Sequence, residues 1–117
     1  MATALSELER KRCERAMVVF LETRRPPVHI RPQLDIGYRV TRQSVEIFEI
    51  RPRWDRPKEK FEQAVAKATY VKALNIWKVF WQRRDLKWHR YDPTPEVATL
   101  EAFTKLVDED RYGCFFG

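Results

Sequence analysis

Basic and aromatic side chains are interleaved in two stretches of the sequence, a combination typical of surfaces that bind nucleic acid. Lysine and arginine attract phosphates, and aromatic rings offer flat surfaces on which unpaired bases stack. The stretches cover residues 51–54 and 72–91. The sequence therefore predicts a nucleic-acid-binding surface. Its candidate residues are Arg51, Arg53, Trp54, Lys72, Arg83, Arg84, Lys87, Trp88, His89 and Arg90.

Part of this aromatic content must belong to the hydrophobic core instead. In a strand over residues 76–82, Trp77, Val79 and Trp81 share one face, because side chains alternate across a strand. A sheet packed against helices buries one of its faces, so at least one pair of tryptophans is expected to be structural. The aromatic–glycine motif of the four-stranded RNA-binding sheets is absent from the sequence, which argues against that particular fold.

Carboxylates on the predicted strands raise a second alternative, a metal-dependent nuclease. Asp35 and Glu49 loosely resemble a pair of carboxylates that holds Mg²⁺, beside a lysine that helps to activate water. Arg51 stands where the lysine would be, and a guanidinium stays protonated and cannot act as a base. Glu46 and Glu49 are three residues apart, so they point to opposite faces of a strand. No metal site is therefore included in the prediction.

The remaining reactive side chains form no recognisable catalytic group. His29 and His89 are the only histidines, and neither has a serine or cysteine beside it in the sequence. Cys13 and Cys114 lack the spacing of a disulfide framework or of a zinc site, so free thiols in a reducing compartment are expected. We therefore predict no catalytic residue, no cofactor and no enzymatic activity.

Composition and charge are those of one small basic domain covering residues 1–117. The chain of 117 residues is 44% apolar and 34% charged, and it carries a net charge of +6. This excess favours anionic partners. The longest apolar run, residues 16–21, is far shorter than the roughly 20 residues of a membrane span. No secretory signal is evident, so a cytoplasmic protein without membrane contact is expected.

Local patterns predict an N-terminal helix over residues 3–24. Ser6 and Glu9 have the spacing of a capping box, with Thr3 as an alternative cap. The helix is expected to end before Pro26, because a residue that precedes proline avoids helical geometry. Its predicted apolar stripe comprises Leu5, Leu8, Cys13, Ala16, Met17 and Phe20.

Alternation of apolar and polar residues predicts an antiparallel sheet. Residues 52–64 show no such pattern and are expected to be irregular, with a turn of helix near residues 58–63. The expected strands are residues 34–40, 44–51, 65–73, 76–82 and, after a break at Asp85, 86–91.

A second helix is predicted near the C-terminus. Thr94 is the expected N-cap with Pro95 in the first turn, and the helix runs to about residue 109. The apolar end, residues 113–117, is expected to tuck into the core. The predicted fold is therefore α+β: an antiparallel β-sheet meander of four to five strands, with an N-terminal and a C-terminal helix packed on it.

Six segments have the character of family motifs. They are Pro26–Asp35, Ser44–Trp54, Ala66–Lys72, Trp77–Trp81, Asp85–His89 and Gly113–Gly117. Together these segments resemble a family of small bacterial proteins classified as domain of unknown function 3024. The resemblance extends from about residue 20 to residue 117. It implies a bacterial, cytoplasmic domain and no established activity.

The sequence thus favours one function over two alternatives. The favoured function is binding of an anionic polymer, nucleic acid, around residues 51–54 and 83–90. The first alternative is a module that binds a protein partner or forms a homodimer through a sheet edge or an aromatic patch. The second is the nuclease with Asp35 and Glu49. Salt separates the first two, because phosphate binding weakens steeply with salt and an apolar interface does not.

Overall fold

The computed structural model describes residues 4–117, which form two helices and one antiparallel sheet. A short 3₁₀ turn, Lys72–Leu74, joins the third strand to the fourth. Among the described residues, no helix has both the length and the apolar character needed to cross a membrane. The elements are α1 (Glu7–Arg24), β1 (Asp35–Val40), β2 (Ser44–Pro52), β3 (Lys60–Val71), β4 (Ile76–Gln82), β5 (Trp88–Arg90), β6 (Glu96–Val97) and α2 (Leu100–Glu109).

The predicted capping box starts α1. The Ser6 hydroxyl accepts a hydrogen bond from the Glu9 backbone N–H at 3.1 Å, and the Glu9 carboxylate accepts one from the Ser6 N–H at 2.8 Å. The alternative cap, Thr3, lies outside the described residues. Leu8 was wrongly placed in the apolar stripe, because it is 63% exposed. It precedes the buried Cys13 by five residues, which turns it about 140° away around the helix.

The sheet is a meander, as predicted. The strands follow one another in the order β1-β2-β3-β4-β5, each antiparallel to its neighbour. A sixth strand, β6, was not predicted and pairs with the beginning of β4. Because consecutive strands are neighbours, the β2–β3 and β4–β5 turns lie at one end of the sheet, and the β1–β2 and β3–β4 turns lie at the other.

The core lies between the two helices and one face of the sheet. Ile47 and Val79 from the sheet are fully buried with Met17 from α1 and Phe103 from α2. The opposite face is polar at many positions. There Arg39 bridges Glu46, across the β1–β2 ladder, and Glu62 on β3.

The C-terminal segment closes this core, which confirms the predicted tuck. Asp110 ends α2 with φ 41°, and its carboxylate accepts hydrogen bonds from the backbone N–H groups of Phe115 (3.0 Å) and Phe116 (2.8 Å). The Phe115 ring is then 6% exposed and lies 4.8 Å from that of Tyr91. One carboxylate thus turns the last residues of the chain back over the sheet.

Two predicted elements were wrong. Residues 58–63 do not form a turn of helix, because β3 already begins at Lys60 and pairs there with Pro52. The second helix is capped by Thr99 instead of Thr94. Residues 96–97 pair with β4, and the Pro95 carbonyl accepts a hydrogen bond from the Val79 N–H, so this segment is extended.

A bulge in the β2–β3 ladder bends the long hairpin. Ile47 pairs with Ala66, but the next residue, Phe48, pairs with Ala64, so Val65 is an extra residue in β3. Bulges increase the local twist of a strand pair. The pairing of β3 with β4 ends at Ala66, directly beside the bulge. Beyond this point, the outer part of β3 has no partner on its β4 side.

Gly37 leaves room for the ring of Phe48 on the neighbouring strand. A Cβ atom at position 37 would lie 2.8 Å from Phe48 Cε2. The ring is 7% exposed and lies under the Arg39 guanidinium, 4.9 Å from ring centroid to Cζ, so it has little room to move. Although alanine is normally better than glycine in a strand, Gly37→Ala should lower the free energy of unfolding by about 1–3 kcal/mol.

Urea denaturation measures this effect, and a Phe48→Leu background provides the control. The smaller side chain relieves the overlap, so Gly37→Ala should cost less in that background. An equal cost in both backgrounds would show that the close approach to Phe48 is not the reason for glycine at this position.

Candidate nucleic-acid interface

The β2–β3 turn, residues 53–59, presents a tryptophan to solvent. The Arg53 N–H donates to the Glu59 carbonyl at 2.8 Å, and the Glu59 N–H donates to the Arg56 carbonyl at 2.8 Å. These bonds close the loop, and Trp54 within it remains 94% exposed. Indole surface this exposed is unusual on a small domain, since tryptophan is normally largely buried.

Carboxylates in the same turn partly neutralise its arginines. Asp55 accepts two hydrogen bonds from the Arg53 guanidinium, at 3.1 and 3.2 Å. These bonds lower the pKa of Asp55. Arg56 lies 3.7 Å from Glu59. Ion pairs between exposed side chains contribute little to stability, so the guanidinium groups can exchange these partners for phosphates.

The β4–β5 turn, residues 83–87, lies at the same end of the sheet. The Leu86 N–H donates to the Arg83 carbonyl at 2.9 Å, which closes the turn. Asp85 accepts from the Lys87 N–H at 2.9 Å and lies 2.8 Å from Nε2 of His89. The backbone bond from Lys87, followed by the contact with His89, lowers the pKa of Asp85. The predicted break at Asp85 is therefore this turn, and the fifth strand starts only at Trp88.

Most of the net charge of the protein is concentrated at this end. Residues 51–60 and 83–87, which we call the basic end, carry eight basic and three acidic side chains, a net charge of +5. The rest of the chain carries fifteen basic and fourteen acidic residues, a net charge of +1. Of the predicted site residues, those that lie at this end of the sheet are Arg51, Arg53, Trp54, Arg83, Arg84 and Lys87.

Lys72 does not join this group. It follows β3 and so lies at the opposite end of the sheet, where its ammonium is 3.6 Å from Glu9 of α1. Sequence proximity to Trp77 placed it among the candidates, but the antiparallel turn between β3 and β4 carries it away from the basic end.

The β5 residues lie beside the basic end, and their polar groups have partners in the protein. The Trp88 ring lies 4.9 Å from the Lys67 ammonium, which is also 5.0 Å from the Phe80 ring. Burial between these side chains lowers the pKa of Lys67. Arg90 donates to Asp92 at 2.8 Å, and His89 is bound to Asp85 as described above.

The other two tryptophans are part of the packing. Trp77 is 7% exposed, and its ring is 4.9 Å from that of Tyr70. Trp81 lies on the same face of β4, half-buried, with the Arg83 guanidinium 5.4 Å above its ring. The expectation that one tryptophan pair is structural is confirmed.

Three basic residues of this end were missed by the sequence analysis: Arg56, Lys58 and Lys60. They fall in the stretch that was expected to be irregular. Their signal was available, because residues 51–60 hold five basic side chains around one tryptophan. It was overlooked because the stretch has no apolar periodicity.

The two carboxylates of the nuclease alternative are not brought together. Asp35 pairs with Ile50 across the ladder and Ile36 pairs with Glu49, so Asp35 and Glu49 point to opposite faces. Asp35 is held by Arg25 through two hydrogen bonds of 2.9 and 2.8 Å, which lower its pKa. Glu49 is bound to Arg51 at 3.1 Å. Among residues 4–117, no group of three His, Cys, Asp or Glu side chains is arranged to hold a metal ion.

Comparisons with known proteins identify a family without assigning a function. Neither a search of curated proteins nor a search of solved structures finds a match to this chain. A scan against family models finds one that covers nearly the whole chain and includes every segment of the predicted resemblance. The matching model, of residues 5–117, is that of a domain of unknown function (DUF3024), and the chain belongs to this family.

Proposed function

We propose that this protein binds nucleic acid through the basic end. The observation that carries the proposal is the concentration of charge: a net charge of +5 out of +6 lies at the end of the sheet that also carries Trp54, which is 94% exposed. A local excess of positive charge attracts a polyanion over several ångströms and orients it toward this end. The role proposed is binding without catalysis, in the cytoplasm.

Several basic side chains of this end are available for phosphates. Arg51, Arg53 and Arg56 have carboxylate partners within the protein. Five others form no ion pair with any residue in the described part of the chain. These five are Lys58, Lys60, Arg83, Arg84 and Lys87.

Trp54 supplies the stacking surface that the proposal requires. Trp54 lies between Arg53 and Arg56 in the sequence of the turn, so a base stacked on it would have guanidinium groups nearby for its flanking phosphates. Stacking of a base on an aromatic side chain contributes roughly 1–3 kcal/mol and is tolerant of sequence. The geometry therefore supports binding with modest sequence preference.

The alternative of a protein partner or homodimer has weaker support. The exposed apolar side chains on α1 are Leu8, Val18 and Val19. Lys11 and Arg15 are exposed between them in the sequence and interrupt the apolar character of this surface. Charged side chains are depleted at the centres of protein interfaces, so this surface favours a partner less than the basic end favours nucleic acid.

The first prediction concerns salt. If the five unpaired basic side chains each contact a phosphate, affinity should fall by about 100- to 500-fold between 50 and 200 mM salt. Fluorescence anisotropy of labelled DNA and RNA oligonucleotides measures it. Flat titrations with every oligonucleotide at 50 mM salt would refute the proposed function.

The second prediction assigns the contacts to the basic end. The variant Lys58→Gln/Lys60→Gln/Arg84→Gln should lower the slope of log affinity against log salt by about two to three, because three phosphate contacts are lost. The control, Lys11→Gln/Arg15→Gln/Lys105→Gln, removes the same charge from exposed positions on the helices. Equal effects in both variants would mean that overall charge, and not the basic end, drives binding.

The third prediction concerns the ring. Trp54→Ala should weaken binding by about 5- to 150-fold at constant salt, because stacking is lost. The salt dependence should stay unchanged, since no charge is removed. Trp54→Phe keeps a ring and should retain most of the affinity. If Trp54→Ala binds as tightly as wild type, the ring is not a stacking surface.

A further inference from the structure

An open cleft of about 400 Å³ separates the two hairpins at the basic end. Cavities that bind small ligands measure roughly 300–1,000 Å³, so the cleft is large enough to receive a planar ring system. Its lining comes from the outer part of β3 and from the β4–β5 turn. The lining residues are Phe61, Glu62, Gln63, Ala64, Gln82 and Leu86.

The cleft lies where β3 continues past the end of β4, beside the bulge. The pairing of β3 with β4 ends at Ala66 opposite Trp81, next to the extra residue Val65. From there β3 continues to Lys60, whereas β4 continues by one residue, Gln82, before the turn. The two hairpins therefore separate toward their tips, and the space between them is framed by paired strands.

Apolar and amide side chains line this space. Phe61 is 42% exposed and Leu86 is 69% exposed, so both offer apolar surface to a ligand. The Gln82 side-chain N–H donates to the Leu86 carbonyl at 3.2 Å, and this bond holds the amide at the wall of the cleft. The oxygen of the same amide can accept a hydrogen bond from a ligand. Gln63 is exposed on the other wall. Apolar side chains can contact the flat faces of a heterocyclic base, and amides can form hydrogen bonds with its edge.

Charge determines which part of a nucleotide can enter. Glu62 lines the cleft and would disfavour a phosphate there, although its charge is partly compensated by Arg39. The basic residues of the two turns stand outside, on either side. A base is uncharged, so it can occupy the cleft while its phosphates lie along the turns.

The backbone at Leu86 has the left-handed conformation that is common at the end of a short hairpin turn. Leu86 has φ 61°, in the left-handed region that glycine and asparagine adopt more readily than leucine. The turn places the exposed Leu86 side chain in the lining of the cleft, where it can contact a ligand.

We propose that the cleft receives one unstacked base of a single-stranded nucleic acid, an inference that rests on the nucleic-acid binding proposed above. Phe61 and Leu86 contact the faces of the base, and phosphates on both sides of it lie against Lys58, Lys60 and Arg84. In a duplex the bases are stacked and paired, so none can enter without being extruded. The protein therefore prefers single strands.

The test compares one mixed 12-nucleotide sequence as a single strand and within a hairpin duplex, by anisotropy at 100 mM salt. The wild-type protein should bind the single strand at least about tenfold more tightly. Phe61→Ala should weaken binding of the single strand by about 5- to 150-fold, as expected for a lost stacking contact. It should leave duplex binding nearly unchanged.

Leu86→Gly separates binding from folding. Glycine accepts the positive φ, so the melting temperature should stay at or above that of wild type. Loss of the apolar side chain should weaken single-strand binding by about tenfold. Leu74→Ala, at the opposite end of the sheet and 65% exposed in wild type, serves as the matched control and should change nothing.

The outcomes distinguish the two proposals. If the wild-type protein binds neither form, the proposed function fails and this inference fails with it. If it binds both forms equally, or if neither Phe61→Ala nor Leu86→Gly weakens binding of the single strand, the cleft does not hold a base, while binding by the basic end stands.

Discussion

The antiparallel ladder between β2 and β3 is the constraint on which the rest of the structure depends. It is the longest ladder in the described chain, running from Ser44 opposite Thr69 to Pro52 opposite Lys60. Its inner half supplies the floor of the core. Its outer half extends past the end of β4, because the pairing of β4 stops beside the bulge at Val65. One hairpin therefore serves the core and, at its other end, carries the candidate binding surface.

The residues that stabilise the core and the residues that carry most of the net charge therefore lie in different parts of the sheet. The helices and the C-terminal segment cover the inner half of the sheet, where Ile47 and Val79 are fully buried. The outer turns contribute little to that core, so they can hold side chains that a packed interior would not accept. Trp54 and Leu86 are exposed there among basic residues.

Much of the fold could be predicted from the sequence, since its causes are local. The capping box of Ser6 and Glu9 depends on a spacing of three residues, and the alternation in β1, β2 and β4 follows directly from residue order. Where the cause was not local, prediction failed. β3 begins at Lys60 because β2 pairs with it, and α2 is capped by Thr99 because residues 96–97 pair with β4.

The same distinction applies to the candidate site. The residue types of the basic end, and the fact that the chain is basic, are properties of the sequence alone. A meander also implies that the turns around Arg53 and Arg84 lie at the same end of the sheet. The tertiary structure decided that Lys72 lies at the other end of the sheet. It also placed the Lys67 ammonium over the ring of Trp88. It also decided that a cleft opens between the hairpins. These features depend on strand register and on a one-residue bulge, and register is set by pairing across the sheet.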